Sequence, residues 1–241
     1  MSTGLLVLPS PLLPGDAYAT LAAALRDLGH DCLVADASGA QSGRQLVDRW
    51  AAGAAPGTRL VAHSNAGYLA PAVRAAIGSR DPVLFMDAAL PPSSGDTALA
   101  PPELRRHLDT LVDESTGLLP PWTRWWPQDV VLGVIPEPVF EAIDTVCPRL
   151  STSYFDSRVP APDGWADAPH RYLAFGDTYA DEVARAHRLG WSVVTTTGSH
   201  LQFLHDPATV AGTIDGLLRA ATAQPELRDV RRAGRSGDRN V

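Results

Sequence analysis

The octapeptide Leu60-Val61-Ala62-His63-Ser64-Asn65-Ala66-Gly67 opens as the end of a strand and closes as the start of a helix. Arg59 to Ala62 is a short apolar run of the kind a buried strand needs, and Tyr68 to about Ile77 carries apolar residues at helical spacing. A serine held between two such elements sits on a tight turn that lifts its hydroxyl above the sheet edge. The next backbone N–H then lies at the positive end of a helix, where a developing oxyanion is stabilised. So tight a turn admits only small residues two before and two after the serine; here these are Ala62 and Ala66, with Gly67 just beyond. The competing reading makes Ser64 a helix cap.

Outward from this turn, short apolar runs alternate with helical stretches, the mark of βαβ units and a mainly parallel sheet. Strands are expected at Leu5–Leu8, Cys32–Ala35, Arg59–Ala62, Val83–Met86, Tyr172–Phe175 and Trp191–Thr196. Helices are expected over Ala17–Leu28, around Leu46, Val47 and Trp50, then over Tyr68–Ile77, Tyr179–Leu189 and Pro207–Ala221. The rhythm breaks between about Ser93 and Asp167, a stretch rich in proline and tryptophan that includes Pro120-Pro121-Trp122-Thr123-Arg124-Trp125-Trp126-Pro127. Helical pieces are expected there at Glu103–Val112 and Val139–Asp144. An insertion this long between two sheet strands points to function. The expected organisation is a core of residues 1–92 and 168–222, an inserted lid at 93–167, and a polar, Arg-rich, disordered tail at 223–241.

The chain has 241 residues, 45% apolar and 20% charged, which suits one soluble α/β domain. A net charge of -7 argues against nucleic acid as a partner. No apolar run nears the roughly 20 residues that span a bilayer, and the N-terminus carries no basic leader. The two cysteines, Cys32 and Cys147, set up no disulfide framework, so a cytoplasmic setting is expected. No metal-ligand cluster and no glycine-rich phosphate loop is present, so neither metal nor cofactor is expected.

The octapeptide around Ser64, with a strand before it and a helix after, resembles the nucleophile elbow of the α/β-hydrolases. The family pattern is Gly-x-Ser-x-Gly, and this chain departs from it with alanine at both glycine positions, keeping small size but losing easy access to positive φ. The resemblance implies a Ser-His-Asp triad. His200, in Gly198-Ser199-His200 after the last expected strand, occupies the family's place for the general base. His205 precedes Asp206-Pro207 at a helix start and reads as a surface residue, while His63 matches an elbow neighbour that packs rather than reacts. Two places lead for the acid, with Asp181 and Glu182 behind them because they read as first-turn helix residues. Asp177, in Phe175-Gly176-Asp177-Thr178, holds the family's usual position, and Asp87, in Met86-Asp87-Ala88, holds a known alternative or is structural.

The resemblance also implies an oxyanion hole with two backbone donors, one of them the Asn65 N–H. The other comes from the loop after the first strand, here Pro9-Ser10-Pro11-Leu12-Leu13-Pro14-Gly15. Proline has no N–H to give, so Leu12 is the leading candidate, ahead of Leu13 and Ser10. A missing donor costs about 3 to 4 kcal/mol of transition-state stabilisation.

Trp122, Trp125 and Trp126, with Phe140, Tyr154, Phe155 and Trp165, either line an apolar pocket above Ser64 or anchor the lid. The implied activity is acyl transfer to water, of esterase, lactonase or thioesterase type, on a small to medium, largely apolar molecule that is free or carrier- or CoA-linked. Two rivals stand beside it. One is a lyase, cyclase or acyl-transfer step on the same fold, and the other is a non-catalytic ligand-binding protein. The sequence leaves the oligomeric state open.

Overall fold

A computed structural model describes residues 4–220; the tail expected at 223–241 lies outside the described residues. In chain order the elements are β1 (Gly4–Leu8), α1 (Ala19–Asp27), β2 (Asp31–Val34), α2 (Gly43–Gly53), β3 (Arg59–Ser64), α3 (Ala70–Ala76) and β4 (Leu84–Ala88). Next come β5 (Gly95–Ala98), α4 (Pro102–Asp109), α5 (Gln128–Leu132), α6 (Glu137–Val146), α7 (Thr152–Asp156) and β6 (Arg158–Ala161). The described residues end with β7 (Arg171–Phe175), α8 (Ala180–Arg188), β8 (Ser192–Thr196), α9 (Gln202–His205) and α10 (Pro207–Arg219).

Among the described residues six strands form one sheet in the order β2-β1-β3-β4-β7-β8. Every neighbouring pair in it is parallel. Parallel strands joined by helices are covered on both faces, which is why they read as unbroken apolar runs. Alternate residues of each strand serve opposite layers. Leu5, Val7, Val61, Leu84 and Leu173 pack with Leu21 and Leu25 of α1 and Ile214 and Leu218 of α10. Leu6, Leu8, Leu60, Phe85 and Tyr172 pack with Leu46 and Trp50 of α2, Val73 of α3 and Ala186 of α8. The strand order reverses between β1 and β3, because the chain goes out from β1 to β2 and then returns across it to β3. In open α/β sheets ligands bind beyond the carboxyl ends of the strands at such a reversal. Here those ends carry the proline-rich loop after Leu8 and the turn at Ser64.

The segment between β4 and β7 supplies its own small sheet. β5 and β6 pair antiparallel, Gly95 opposite Ala161 and Ala98 opposite Arg158, so its two ends lie side by side. The expected helices at 103–112 and 139–144 correspond to α4 and α6. The β5–β6 pair, α5 and α7 were not anticipated: β5 reads Gly-Asp-Thr-Ala with only Thr97 buried, too little alternation to mark a strand. Trp165 fastens the far end of the segment to the sheet. Its ring packs against Phe85, His170 and Trp191, and its indole N–H donates to the Pro92 carbonyl at 2.8 Å.

Candidate active site

The chain turns at Ser64 with φ 56° and ψ −127°, a region L-residues avoid, and enters a 3₁₀ turn over Asn65–Tyr68 before α3. Holding a non-glycine residue there costs on the order of 1–3 kcal/mol and persists only where surrounding structure enforces it. Among the described non-glycine residues only Ser64 and Asp87 have positive φ. Ala62 and Ala66 therefore meet the requirement at this turn, which is for small size; both are fully buried. Glycine is mandatory one position further on, since a Cβ on Gly67 would stand 2.0 Å from the Ala89 carbonyl oxygen. The Ser64 side chain makes no capping hydrogen bond to the helix, against the capping reading.

Its hydroxyl instead faces His200, with Oγ 3.0 Å from Nε2. His200 Nδ1 stands 2.6 Å from Asp87 Oδ2. A carboxylate only accepts, so this contact holds the proton on Nδ1 and leaves the Nε2 lone pair free to receive the serine proton. A bulge aims Asp87. The β3–β4 register runs His63 opposite Met86 and then Ser64 opposite Ala88, so Asp87 has no partner across the ladder and turns out of the pleat. At φ 42° its carboxylate is fully buried, with Oδ1 accepting the Phe175 N–H at 2.9 Å. The Tyr172 hydroxyl holds the bulge, donating to the Ala88 carbonyl at 2.6 Å and accepting the Ala88 N–H at 3.0 Å. Asp177, the family's usual choice, is exposed, and its carbonyl accepts the Ala180 N–H at the start of α8. Of the two candidate carboxylates, Asp87 is the one against His200. His205 is exposed, with Nε2 donating to the Val134 carbonyl at 3.0 Å.

His63 does more than fill space. Its Nε2 donates to the His200 carbonyl at 3.2 Å, so its Nδ1 accepts a hydrogen bond from the Tyr18 O–H at 2.7 Å. The Tyr18 oxygen in turn accepts the Ser10 N–H at 2.9 Å. The His63 and His200 rings stack at 4.8 Å. Burial, helped by the neighbouring His200, pushes the His63 pKa well below 6.5, so the ring stays neutral and the pattern of donors stays fixed. One line of hydrogen bonds thus ties the loop after β1 to the elbow and to the backbone of His200.

That line also sorts the donors of the loop. Ser10 N–H is given to Tyr18, and Leu13 N–H donates to the Ser10 carbonyl at 3.1 Å. Leu12 N–H has only a long 3.4 Å contact with Ser10 Oγ, so it is the least committed of the three. Asn65 is buried, and its side chain reaches away from the turn. Its Nδ2 donates to the Leu99 carbonyl at 2.7 Å, and its Oδ1 accepts the Tyr154 hydroxyl at 2.7 Å, pinning the inserted segment to the elbow.

Over Ser64 lies a cavity of about 280 Å³, walled by Leu12, Trp122, Trp125, Trp126, Val130 and Tyr179. All three tryptophans singled out in the sequence line it. The other aromatics do not: Tyr154 holds Asn65, Phe155 packs edge-on against Trp125, Trp165 anchors the segment and Phe140 packs beside the α1–α10 core. Sequence reasoning missed Tyr179, whose hydroxyl stands 3.4 Å from Ser64 Oγ. Its place in the loop after β7, at the same carboxyl edge as the elbow, was the available signal. A larger cleft of about 450 Å³ lies beside β8 and α10, lined by Thr196, Thr209 and Thr213 among others, and contains neither Ser64 nor His200. Among the described residues no group of three His, Cys, Asp or Glu side chains could hold a metal ion, and no helix is long and apolar enough to cross a membrane.

No family model and no curated protein matches the sequence. Solved structures do match. An extracellular α/β-hydrolase from a Paenibacillus species, described as sharing structural and functional homology with tobacco salicylic acid binding protein 2, superposes with a TM-score of 0.69 at 18% identity, over 88% of this chain and 97% of that one. A pyrethroid hydrolase from Sphingobium faniae JZ-2 gives 0.62 at 17% identity, over 91% and 98%. Tomato methylketone synthase I complexed with 2-tridecanone gives 0.63 at 11% identity, over 91% and 99%. With the parallel sheet, the elbow and the strand order, these likenesses define the class of architecture: the chain has the α/β-hydrolase fold.

Proposed function

We propose that this chain is a serine acyl hydrolase in which Ser64 is the nucleophile, His200 the general base and Asp87 the acid that orients it. The observation that carries the reading is the line Asp87 Oδ2–His200 Nδ1, His200 Nε2–Ser64 Oγ, at 2.6 and 3.0 Å, opening into an apolar cavity. Ser64 Oγ attacks an acyl carbonyl as His200 Nε2 takes its proton, and buried Asp87 stabilises the imidazolium that forms. The N–H groups of Asn65 and Leu12 receive the oxyanion. Collapse of the tetrahedral species breaks the bond to the leaving group, which leaves with the proton from His200. Water then attacks the acyl-serine by the same steps and releases the acid.

The tryptophan walls favour a small to medium apolar acyl group, from a free molecule or one carried on CoA or a carrier. The buried free thiols Cys32 and Cys147 go with a cytoplasmic setting. The purely binding rival has no use for a strained serine engaged by a base.

The test is intact-mass analysis after exposure to a fluorophosphonate, with Ser64→Ala and His200→Ala alongside. One adduct on the wild type, lost in both variants, is expected. A folded wild-type protein without an adduct would overturn the reading in favour of the binding rival. A labelled protein that hydrolyses no neutral ester or thioester would move it to a non-hydrolytic step.

A further inference from the structure

Of the tyrosines buried or half-buried around this site, three have short hydrogen bonds. Tyr18 meets His63 at 2.7 Å, Tyr154 meets Asn65 at 2.7 Å, and Tyr172 meets the Ala88 carbonyl at 2.6 Å. Tyr179 has only the 3.4 Å approach to Ser64 Oγ, outside the usual range for O–H···O bonds, although its ring stands against His200 at 5.5 Å and lines the cavity. A phenol in so apolar a setting normally finds a partner. Burial raises its pKa, so it stays a neutral donor.

Topology says which part of a substrate it meets. In the order β1-β3-β4-β7-β8 the Leu12 loop follows β1, on one side of Ser64, while Tyr179 follows β7 and His200 follows β8, on the other. Under the proposed function the oxyanion turns toward Leu12 and Asn65, and the leaving group departs toward His200, which must protonate it.

We propose that Tyr179 is a further catalytic residue that donates a hydrogen bond to the leaving-group oxygen, making the enzyme selective for oxygen esters over thioesters. The inference rests on the hydrolase reading above. As the acyl carbon–oxygen bond breaks, its electron pair passes to the departing oxygen, His200 Nε2–H supplies the proton, and the Tyr179 O–H steadies the growing charge without transferring its own proton. Divalent sulfur accepts hydrogen bonds weakly, so a thioester gains little from the same contact.

The experiment compares wild type and Tyr179→Phe on ethyl hexanoate and S-ethyl thiohexanoate, with fluorophosphonate labelling of both proteins. Tyr179→Phe is expected to lower kcat/KM for the oxygen ester by about tenfold to a hundredfold, the range spanned by one net hydrogen bond and a transition-state donor, and for the thioester by less than threefold. Both proteins should label completely. An equal fall on the two substrates, no fall on either, or turnover of the thioester alone by the wild type would overturn the inference while labelling leaves the hydrolase reading standing. A wild type that does not label overturns both.

Discussion

Replacing Asp87 with Asn tests the orientation of the base with almost no change of shape. Asparagine tolerates the positive φ that Asp87 adopts at 42°, so the bulge should survive. The Phe175 N–H, 2.9 Å from Oδ1, needs an acceptor, so the amide oxygen of the new side chain stays there. That places the amide NH₂ at the Oδ2 position, 2.6 Å from His200 Nδ1, where a donor now faces the ring. Nδ1 must then become the acceptor and the proton moves to Nε2, pointing at Ser64 Oγ and blocking proton removal. In triad enzymes this tautomer reversal lowers kcat by about 10⁴-fold, which corresponds to about 5 kcal/mol of barrier. The assay is kcat on the best ester found for the wild type, with circular dichroism and urea unfolding to verify the fold. Asp177→Asn is the control and is expected to leave kcat within twofold, since Asp177 is exposed. A folded Asp87→Asn protein within tenfold of wild type, or an Asp177→Asn protein down a thousandfold, would refute the reasoning.

Gly67→Ala sets a Cβ 2.0 Å from the Ala89 backbone oxygen, so it should destabilise by about 3 kcal/mol or more in urea unfolding and lower activity through β4, which carries Asp87; an unchanged midpoint would contradict this. Tyr18→Phe leaves the buried Ser10 N–H and His63 Nδ1 without a partner, at about 1–3 kcal/mol for each group, to be read from the same unfolding curves. His170 gives a pH signature. Its Nδ1 accepts the Val83 N–H and its Nε2 donates to the Trp165 carbonyl, and burial lowers its pKa from 6.5 to about 4. The unfolded chain therefore binds this proton first. The stability that neutral His170 contributes is complete above about pH 6.5 and is lost as pH falls toward 4, by about 3 kcal/mol. Unfolding free energies at pH 7.5, 5.5 and 4.5 measure this, with His63 adding a loss of the same sign. His170→Gln should flatten the profile, and a variant as steep as wild type would count against the assignment.

Much of the architecture was readable because it depends on local chemistry. Leu5–Leu8 and Leu60–Ala62 are apolar on both faces, as a covered parallel strand requires. Ser64 could be placed because the strand, the turn and the small neighbours Ala62, Ala66 and Gly67 are contiguous. His200 could be placed because it follows the last strand and sheet edges collect site residues. The tryptophans of residues 122–126 were legible as a group, but which aromatics face the cavity was not, because Trp165 and Tyr154 differ from Trp122 and Trp126 only in what lies opposite them.

The amino-acid order by itself determined the parallel α/β sheet, the serine turn and the histidine after the final strand, since each is written in a few consecutive side chains and the period they keep. That Asp87 and not Asp177 stands against His200 was decided only in three dimensions. It depends on a bulge opposite Ser64 that slips the β3–β4 register by one residue and on a Phe175 N–H that holds the carboxylate there. The same holds for Tyr179 at Ser64 and for the Tyr18–His63–His200 line, where partners 45 to 137 residues apart are joined only when neighbouring strands bring their carboxyl ends to one edge. Hydrogen bonds over such separations leave no local pattern to read, because each depends on the final position of two independent segments.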